Sequence, residues 1–198
     1  MAFATIGTAG IQAQSIDLST KVTGTLPVPN GGLGIASGTT GQFLKFTGTE
    51  TLASSADNGK IGQVLRSFSN TSTTLGTTTY SSISLSQAIT CSATSSKVLI
   101  MGAISASMNG TNEDKGFGIR IRRDSTSVFQ SQTLYHAYHK STNSMFIDGD
   151  KFPFFYLDSP SSSSSVSYSI YCATWNSSNV AFQPDANQSD IILMEVLA

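Results

Sequence analysis

The segment GFGIRIRR, residues 116–123, has the clearest alternating pattern in the sequence. Its apolar side chains stand at every second position: Phe117, Ile119 and Ile121. Arg120 and Arg122 lie between them. Successive side chains of a β-strand point to opposite faces, so this pattern predicts a strand with one face in a core and the other in solvent.

Short segments of the same kind continue along the chain and are separated by turn residues. The predicted strands are Gln63–Ser69, Thr78–Leu85, Lys97–Met108, Gly116–Arg123, Val128–Gln132, Leu134–Lys140, Lys151–Leu157, Val166–Trp175, Val180–Gln183 and Ile191–Leu197. The triplet Asp148-Gly149-Asp150 predicts a turn. No window keeps a helical period of 3.6 residues. The sequence therefore predicts an all-β fold, an antiparallel β-sandwich of the jelly-roll type.

Composition restricts the classes of partner. Charged residues make up 12 % of the 198 residues, against about a quarter in average proteins, and the net charge is −1. Such a chain lacks the basic surface that nucleic acid binding requires, so no nucleic acid partner is expected. Its longest apolar run, Val98 to Ile104, is far shorter than the roughly 20 residues of a membrane span, so no membrane insertion is expected.

The two cysteines, Cys91 and Cys172, are too few for a disulfide framework. Each lies among strand-forming residues, which favours buried free thiols, although pairing between them stays open.

Residues 1–61 differ from residues 62–198 in the spacing of their apolar residues. Apolar residues are sparse in the first part, and two prolines at alternate positions favour extended backbone. The residues expected to anchor this part are Ile6, Ile11, Ile16, Leu18, Pro27 and Pro29. This pattern predicts an extended N-terminal arm over 1–61, followed by the β-sandwich domain over 62–198.

The segment GTLPVPNGGLG, residues 24–34, resembles the GTLPVxNGGxG signature of bacteriophage tail-fibre and related virion appendage proteins. Pro29 and Leu33 stand where that signature commonly has Ala and Thr. The resemblance implies a virion structural protein that is assembled in the host cytoplasm. It also implies an arm that binds other virion proteins of the tail or capsid, and an exposed C-terminal domain.

Self-association is expected from three observations. A Gly-Gln-apolar-Leu-basic pattern occurs at 41–45 and again at 62–66. Phe43 and Phe46 have little to pack against in a thin arm, and the last strand is apolar on both faces. These observations predict a homotrimer with Phe43, Phe46, Leu193 and Val196 in its interface.

The sequence carries no recognisable catalytic or phosphate-binding motif. We therefore expect a protein that is not an enzyme and that uses no metal and no cofactor. His136 and His139 are three residues apart, which on a strand places them on opposite faces. Paired carboxylates of a glycosidase cannot be recognised in one sequence, and polysaccharide-cleaving tailspikes usually carry a long β-helix for which this chain is too short.

Candidate binding residues combine aromatic rings with polar neighbours. The candidates are Tyr135, His136, Tyr138, His139, Trp175, Asn176, Arg120 and Arg122. Ring faces stack on sugar C–H groups and amides bond to hydroxyls, whereas the alternative for Tyr and Trp is core packing with a polar contact at one end. The arginines suit either anionic surface glycans or a solvated sheet face.

The leading hypothesis is a trimeric tail fibre or receptor-binding appendage that attaches to a glycan or protein of the host surface. A head fibre or capsid decoration protein is the close alternative, because both designs need an arm and an exposed domain. A polysaccharide-cleaving tailspike enzyme is the third and least favoured alternative.

Overall fold

The computed structural model describes residues 39–40, 42–48, 51–55, 60–140 and 144–197. The predictions for Ile6, Ile11, Ile16, Leu18, Pro27 and Pro29 lie outside the described residues. The chain divides into two units between Asn58 and Gly59. The roles assigned to an arm and a domain on either side of this region stay predictions.

The described part of the first unit is a hairpin. Strand β1 (Phe43–Gly48) pairs antiparallel with β2 (Thr51–Ser55), with Phe46 opposite Leu52. Phe43 and Phe46 are both exposed, at 65 % and 67 %. Their place in a trimer interface stays a prediction.

The second unit consists of short and long strands joined by turns. Its strands are β3 (Ile61–Ser69), β4 (Thr73–Leu75), β5 (Ser81–Thr90), β6 (Lys97–Thr111), β7 (Lys115–Arg123), β8 (Thr126–Gln130), β9 (Ala137–His139), β10 (Ser144–Asp158), β11 (Ser165–Thr174), β12 (Val180–Phe182) and β13 (Ser189–Val196). The described residues of this unit also form 3-10 turns at Gln132–Leu134, Trp175–Ser177 and Pro184–Ala186. The described residues contain no α-helix.

These strands form two antiparallel sheets. The first has the order β10-β6-β13-β3, and β12 and β4 extend it beside the far part of β6. The second has the order β5-β11-β7-β8, and β9 also pairs with β7. The chain crosses between the sheets at most of its connections, as in a jelly roll. The predicted all-β, jelly-roll-like sandwich is confirmed.

The core lies between the two sheets. Inward residues of β6 such as Val98, Ile100 and Ile104 are fully buried, and so are Phe117 and Ile119 of β7. The alternation in both segments is therefore the alternation between core and outer face that the sequence predicts. Cys91 and Cys172 are buried free thiols, as expected.

Strand β13 occupies a central position between β3 and β6. Leu193 is fully buried in the core of its own chain. Its prediction as a trimer-interface residue is corrected here, because a side chain buried in this way has no surface to offer a partner. Val196 lies on the other face of β13, is partly exposed and pairs with Ile61 and Lys97.

Two local predictions also change. The segment predicted as a strand over Leu134–Lys140 is a 3-10 turn followed by the short β9. The predicted turn at Asp148-Gly149-Asp150 is a bulge inside the long strand β10. Gly149 adopts a φ of 75°, which favours glycine, and its N–H donates to Ser107 Oγ at 2.8 Å.

Among the residues that the structure describes, no helix is long and apolar enough to cross a membrane.

Candidate functional site: an aromatic cluster beside a polar cavity

Two loops at one end of the sandwich line an open cavity of about 790 Å³. One is the β6–β7 turn, and the other is the β11–β12 loop. They meet because β7 pairs with β11, with Phe117 opposite Thr174, so that one strand begins where the other ends. The lining residues are Asn112, Glu113, Asp114, Lys115, Trp175, Asn176, Ser177, Ser178 and Asn179.

An aromatic cluster of Tyr135, Tyr138 and Trp175 adjoins this cavity. The ring of Trp175 stacks on Tyr135 with centroids 4.8 Å apart and an interplanar angle of 24°. Tyr138 stands edge-on to both rings, at 4.8 Å from Tyr135 and 5.4 Å from Trp175. Tyr135 remains 48 % exposed and Tyr138 36 % exposed. The cluster is thus an outward-facing group of rings and is not part of the core.

Gly116 explains how this cluster is positioned. It pairs with Tyr138 across β7 and β9. A Cβ on Gly116 would lie 2.5 Å from the carbonyl oxygen of Ala137 and 3.0 Å from Cα of Tyr138. Since both atoms are backbone, β9 can lie in this place only because residue 116 has no side chain.

Tyr138, at one side of the cluster, is held in place by a carboxylate. The hydroxyl of Tyr138 donates to Oδ2 of Asp114 at 2.7 Å. This hydrogen bond is the main cause that raises the pKa of Tyr138 to about 12. The aromatic cluster and the β6–β7 turn are therefore linked by a direct contact.

The charge that the cavity presents is predominantly negative. The side chain of Lys115 is buried, forms an ion pair with Glu113 at 3.2 Å and donates to the carbonyl oxygen of Asn179 at 3.4 Å. The positive charge of Lys115 is therefore compensated by contacts within the two loops. The side chain of Glu113 is 60 % exposed.

The β11–β12 loop has unusual backbone geometry. Asn176 and Ser177 have φ values of 49° and 57°, in the left-handed region that few non-glycine residues adopt. Non-glycine residues keep such φ values only where surrounding contacts hold them, and several other turns of the described chain also contain them. Asn176 and Ser177 directly follow Trp175, and all three residues line the cavity.

His136 and His139 do not join the cluster as a pair. The ring of His136 is partly buried against Phe117, with centroids 5.8 Å apart. Burial lowers the pKa of His136, and its hydrogen bond to the backbone of Pro153 opposes this effect. His136 thus packs partly against the core, and its role in surface binding stays a prediction. His139 is exposed on β9 opposite Lys115.

Arg120 and Arg122 lie further along β7, beside β8. The guanidinium of Arg120 lies over the ring of Tyr80 at 4.1 Å and donates to Oε1 of Gln130. Arg122 lies over Tyr171 at 4.8 Å and donates to the carbonyl oxygen of Ser125. Both belong to the solvated outer face of the second sheet, and neither lines the cavity.

Sequence reasoning missed the contribution of the β6–β7 turn. Glu113 and Asp114 were recognisable as turn residues, but their contact with the loop of Trp175 depends on the pairing of β7 with β11. No local pattern encodes that pairing. In the described part of the chain, no three His, Cys, Asp or Glu side chains are grouped so as to hold a metal ion.

Comparison with known proteins gives no family assignment. No family model matches the sequence. No curated protein matches it either. Among solved structures, the chain is similar to a structure of the infectious bursal disease virus Gx strain, with a TM-score of 0.43 and 10 % identity over 77 % of this chain. It is also similar to the VP2 subviral particle of infectious bursal disease virus, with a TM-score of 0.40 and 12 % identity over 78 % of this chain. The matches span 36 % and 42 % of those two chains.

Proposed function

We propose that this chain is a non-enzymatic, homotrimeric bacteriophage virion appendage whose C-terminal β-sandwich binds carbohydrate on the host surface. The observation that carries the binding role is the exposed cluster of Tyr135, Tyr138 and Trp175 beside the polar cavity. The virion role rests on the resemblance of residues 24–34 to the appendage signature. The N-terminal arm is proposed to bind the other virion proteins.

The cavity offers the two kinds of group that hold a sugar. Trp175 and the adjoining tyrosines provide flat apolar surface for the C–H face of a pyranose ring. Amide side chains of Asn112, Asn176 and Asn179 provide both donors and acceptors for hydroxyl groups. A few placed polar groups beside an apolar wall are typical of small-molecule sites.

The charge of the cavity favours neutral sugars. The positive charge of Lys115 is paired with Glu113, whose carboxylate is the exposed charge of that pair. An anionic sugar would place its carboxylate or phosphate near like charge, which disfavours binding. We therefore propose neutral hexoses or N-acetylated hexoses of a bacterial surface polysaccharide as the ligand class.

Cleavage of such a polysaccharide is disfavoured by the arrangement of the carboxylates. Glu113 and Asp114 are neighbours in one turn, whereas a glycosidase places its two carboxyl groups on opposite sides of the scissile bond. Asp114 also accepts a hydrogen bond from Tyr138. Absence of sugar turnover during prolonged incubation with a bound polysaccharide would agree with a binding role.

The experiment uses the purified full-length chain on a panel of neutral, basic and anionic bacterial glycans. We expect binding to one or more neutral glycans and at least about tenfold weaker binding by Trp175→Ala, the loss typical when an aromatic anchor residue is truncated. Tyr171→Ala is the matched control, because it removes a half-buried ring that lies under Arg122 and outside the cavity. Binding that is equal in the two variants, or confined to anionic glycans, would contradict the proposed site.

Attachment of the arm to the tail is proposed over attachment to the capsid on the resemblance to tail-fibre proteins. Antibody labelling of intact particles distinguishes the tail fibre from a head fibre or decoration protein. Label at the tail supports the first, and label over the capsid supports the second.

A further inference from the structure

The outer surface of the first sheet carries a continuous group of apolar side chains. The most exposed are Ile61, Val64, Phe68, Phe155 and Leu157, at 47–79 %. Partly exposed neighbours are Leu99, Met101, Ile192, Met194 and Val196. We call these ten residues the outer apolar face.

The strand register places these residues side by side. Phe155 lies opposite Met101, which lies opposite Ile192. In the next row, Leu157 lies opposite Leu99, and Met194 lies between Leu99 and Val64. Both rows are apolar across β10, β6 and β13; on β3 the first row ends at Arg66 and the second at Val64, so the apolar surface is continuous over three strands and is bordered by charged side chains on β3.

The second sheet shows what a solvent-facing surface looks like in this protein. The exposed residues of β5 are mostly hydroxyl side chains: Ser82, Ser84, Ser86 and Thr90. The outer surface of β5 therefore carries mainly serine and threonine, whereas the outer surface of the first sheet carries Phe, Leu, Val and Met. This difference indicates that the two surfaces face different environments.

Three charged side chains adjoin the outer apolar face, and one of them is the exposed Lys97 opposite Val196. Arg66 and Asp190 form an ion pair across β3 and β13, and the Arg66 guanidinium lies 5.7 Å from the centroid of the Phe68 ring. Apolar side chains therefore far outnumber the charges around them, so the face offers little attraction to a strongly charged partner.

We propose that the outer apolar face is where copies of this chain pack against one another. Ten side chains with this exposure present an apolar area on the order of 700 Å², close to the roughly 800 Å² that each partner buries in a standard interface. The inference rests on the self-association proposed above and assigns it to a surface. Val196, an expected interface residue, belongs to this face, and Leu193 does not.

The test compares Phe155→Asp and Val64→Asp with the matched control Phe146→Asp in the full-length protein. Phe155 and Phe146 are on the same strand and are 79 % and 78 % exposed. Their partners Met101 and Asn109 are eight residues apart along β6, which is roughly 27 Å. Far-UV circular dichroism checks that each variant keeps its strands.

Light scattering at micromolar concentration should give about three times 20.8 kDa for the wild type and for Phe146→Asp. We expect the measured mass to fall toward that of a monomer in both Phe155→Asp and Val64→Asp. The two substitutions lie on different strands, so a folding defect in one variant does not prevent the other from testing the proposal. A monomeric wild type would overturn self-association itself. An unchanged mass in both face variants would overturn only the assignment to this face. The same unchanged mass with faster proteolysis of residues 1–38 would assign the face to the chain's own N-terminal part, which also overturns the proposal.

Discussion

Glu195 is a carboxylate on the inner face of β13, where the preceding inward residues are Ser189, Ile191 and Leu193. It is 1 % exposed. Its Oε1 accepts from the backbone N–H and the hydroxyl of Ser92, each at 2.6 Å, and its Oε2 accepts from Gln63 Nε2 at 2.9 Å. Burial alone would raise the pKa of Glu195, but these hydrogen bonds outweigh it and lower the pKa to about 2.

Glu195→Gln should destabilise the fold by about 2–4 kcal/mol, because an amide places a donor against the donors of Ser92 or Gln63 and removes the charge from these bonds. Urea unfolding at neutral pH measures the change. A loss below about 0.5 kcal/mol would mean that the buried carboxylate contributes little.

The same group predicts a pH dependence. A carboxylate whose pKa is lower in the folded than in the unfolded state stabilises the fold above its unfolded pKa, and this contribution is lost as the pH falls. For Glu195 the loss runs from about pH 4.5 down to about pH 2. Wild-type stability should therefore fall more steeply than that of Glu195→Gln in this window. Parallel curves for the two proteins would contradict the assignment.

At the scale of single elements, β13 shows why an apolar strand can be misread. Its sequence is apolar on both faces, and the expectation put Leu193 and Val196 into one interface. The pleat separates them, since Leu193 points into the core and Val196 lies on the outer apolar face. The sequence pattern indicated correctly that the strand is central, but a strand with two apolar faces does not show which face meets its own chain.

Substitutions in β13 should therefore follow the pleat. Leu193→Ala should cost about 2–5 kcal/mol in urea unfolding, as expected when a fully buried side chain leaves a cavity. Met194→Ala, on the outer apolar face, should cost well under half as much in the monomer, and it should weaken association. The measurement needs one fixed protein concentration below the range of association. Equal costs for the two variants would mean that both faces are buried within one chain.

The segment Leu134–Lys140 shows a second limit at this scale. Its sequence predicts one strand. The structure instead has a 3-10 turn at Gln132–Leu134, with Leu134 at a φ of 60°, and only the short β9 after it. Gly116 and Gly118 of β7 make room for this arrangement, and their importance is visible only once β7 has a neighbour.

At the scale of the whole molecule, the sandwich followed from local alternation, whereas the binding site did not. Alternation in β6 and β7 reports directly on which side chains enter the core. The aromatic candidates Tyr135, Tyr138 and Trp175 were also recognisable by residue type. These rings lie beside Asp114 and the rest of the β6–β7 turn because β7 pairs with β9 and β11. That pairing connects residues far apart in sequence.

The most direct test of the proposed carbohydrate site is the fluorescence of Trp175, because it is the single tryptophan of the chain. Its emission reports on the cavity wall in the unmodified protein. A neutral saccharide that binds should change this emission in a saturable way, with the same midpoint as binding measured by calorimetry. Saturable binding that leaves the emission of Trp175 unchanged would place the sugar elsewhere and would contradict the account.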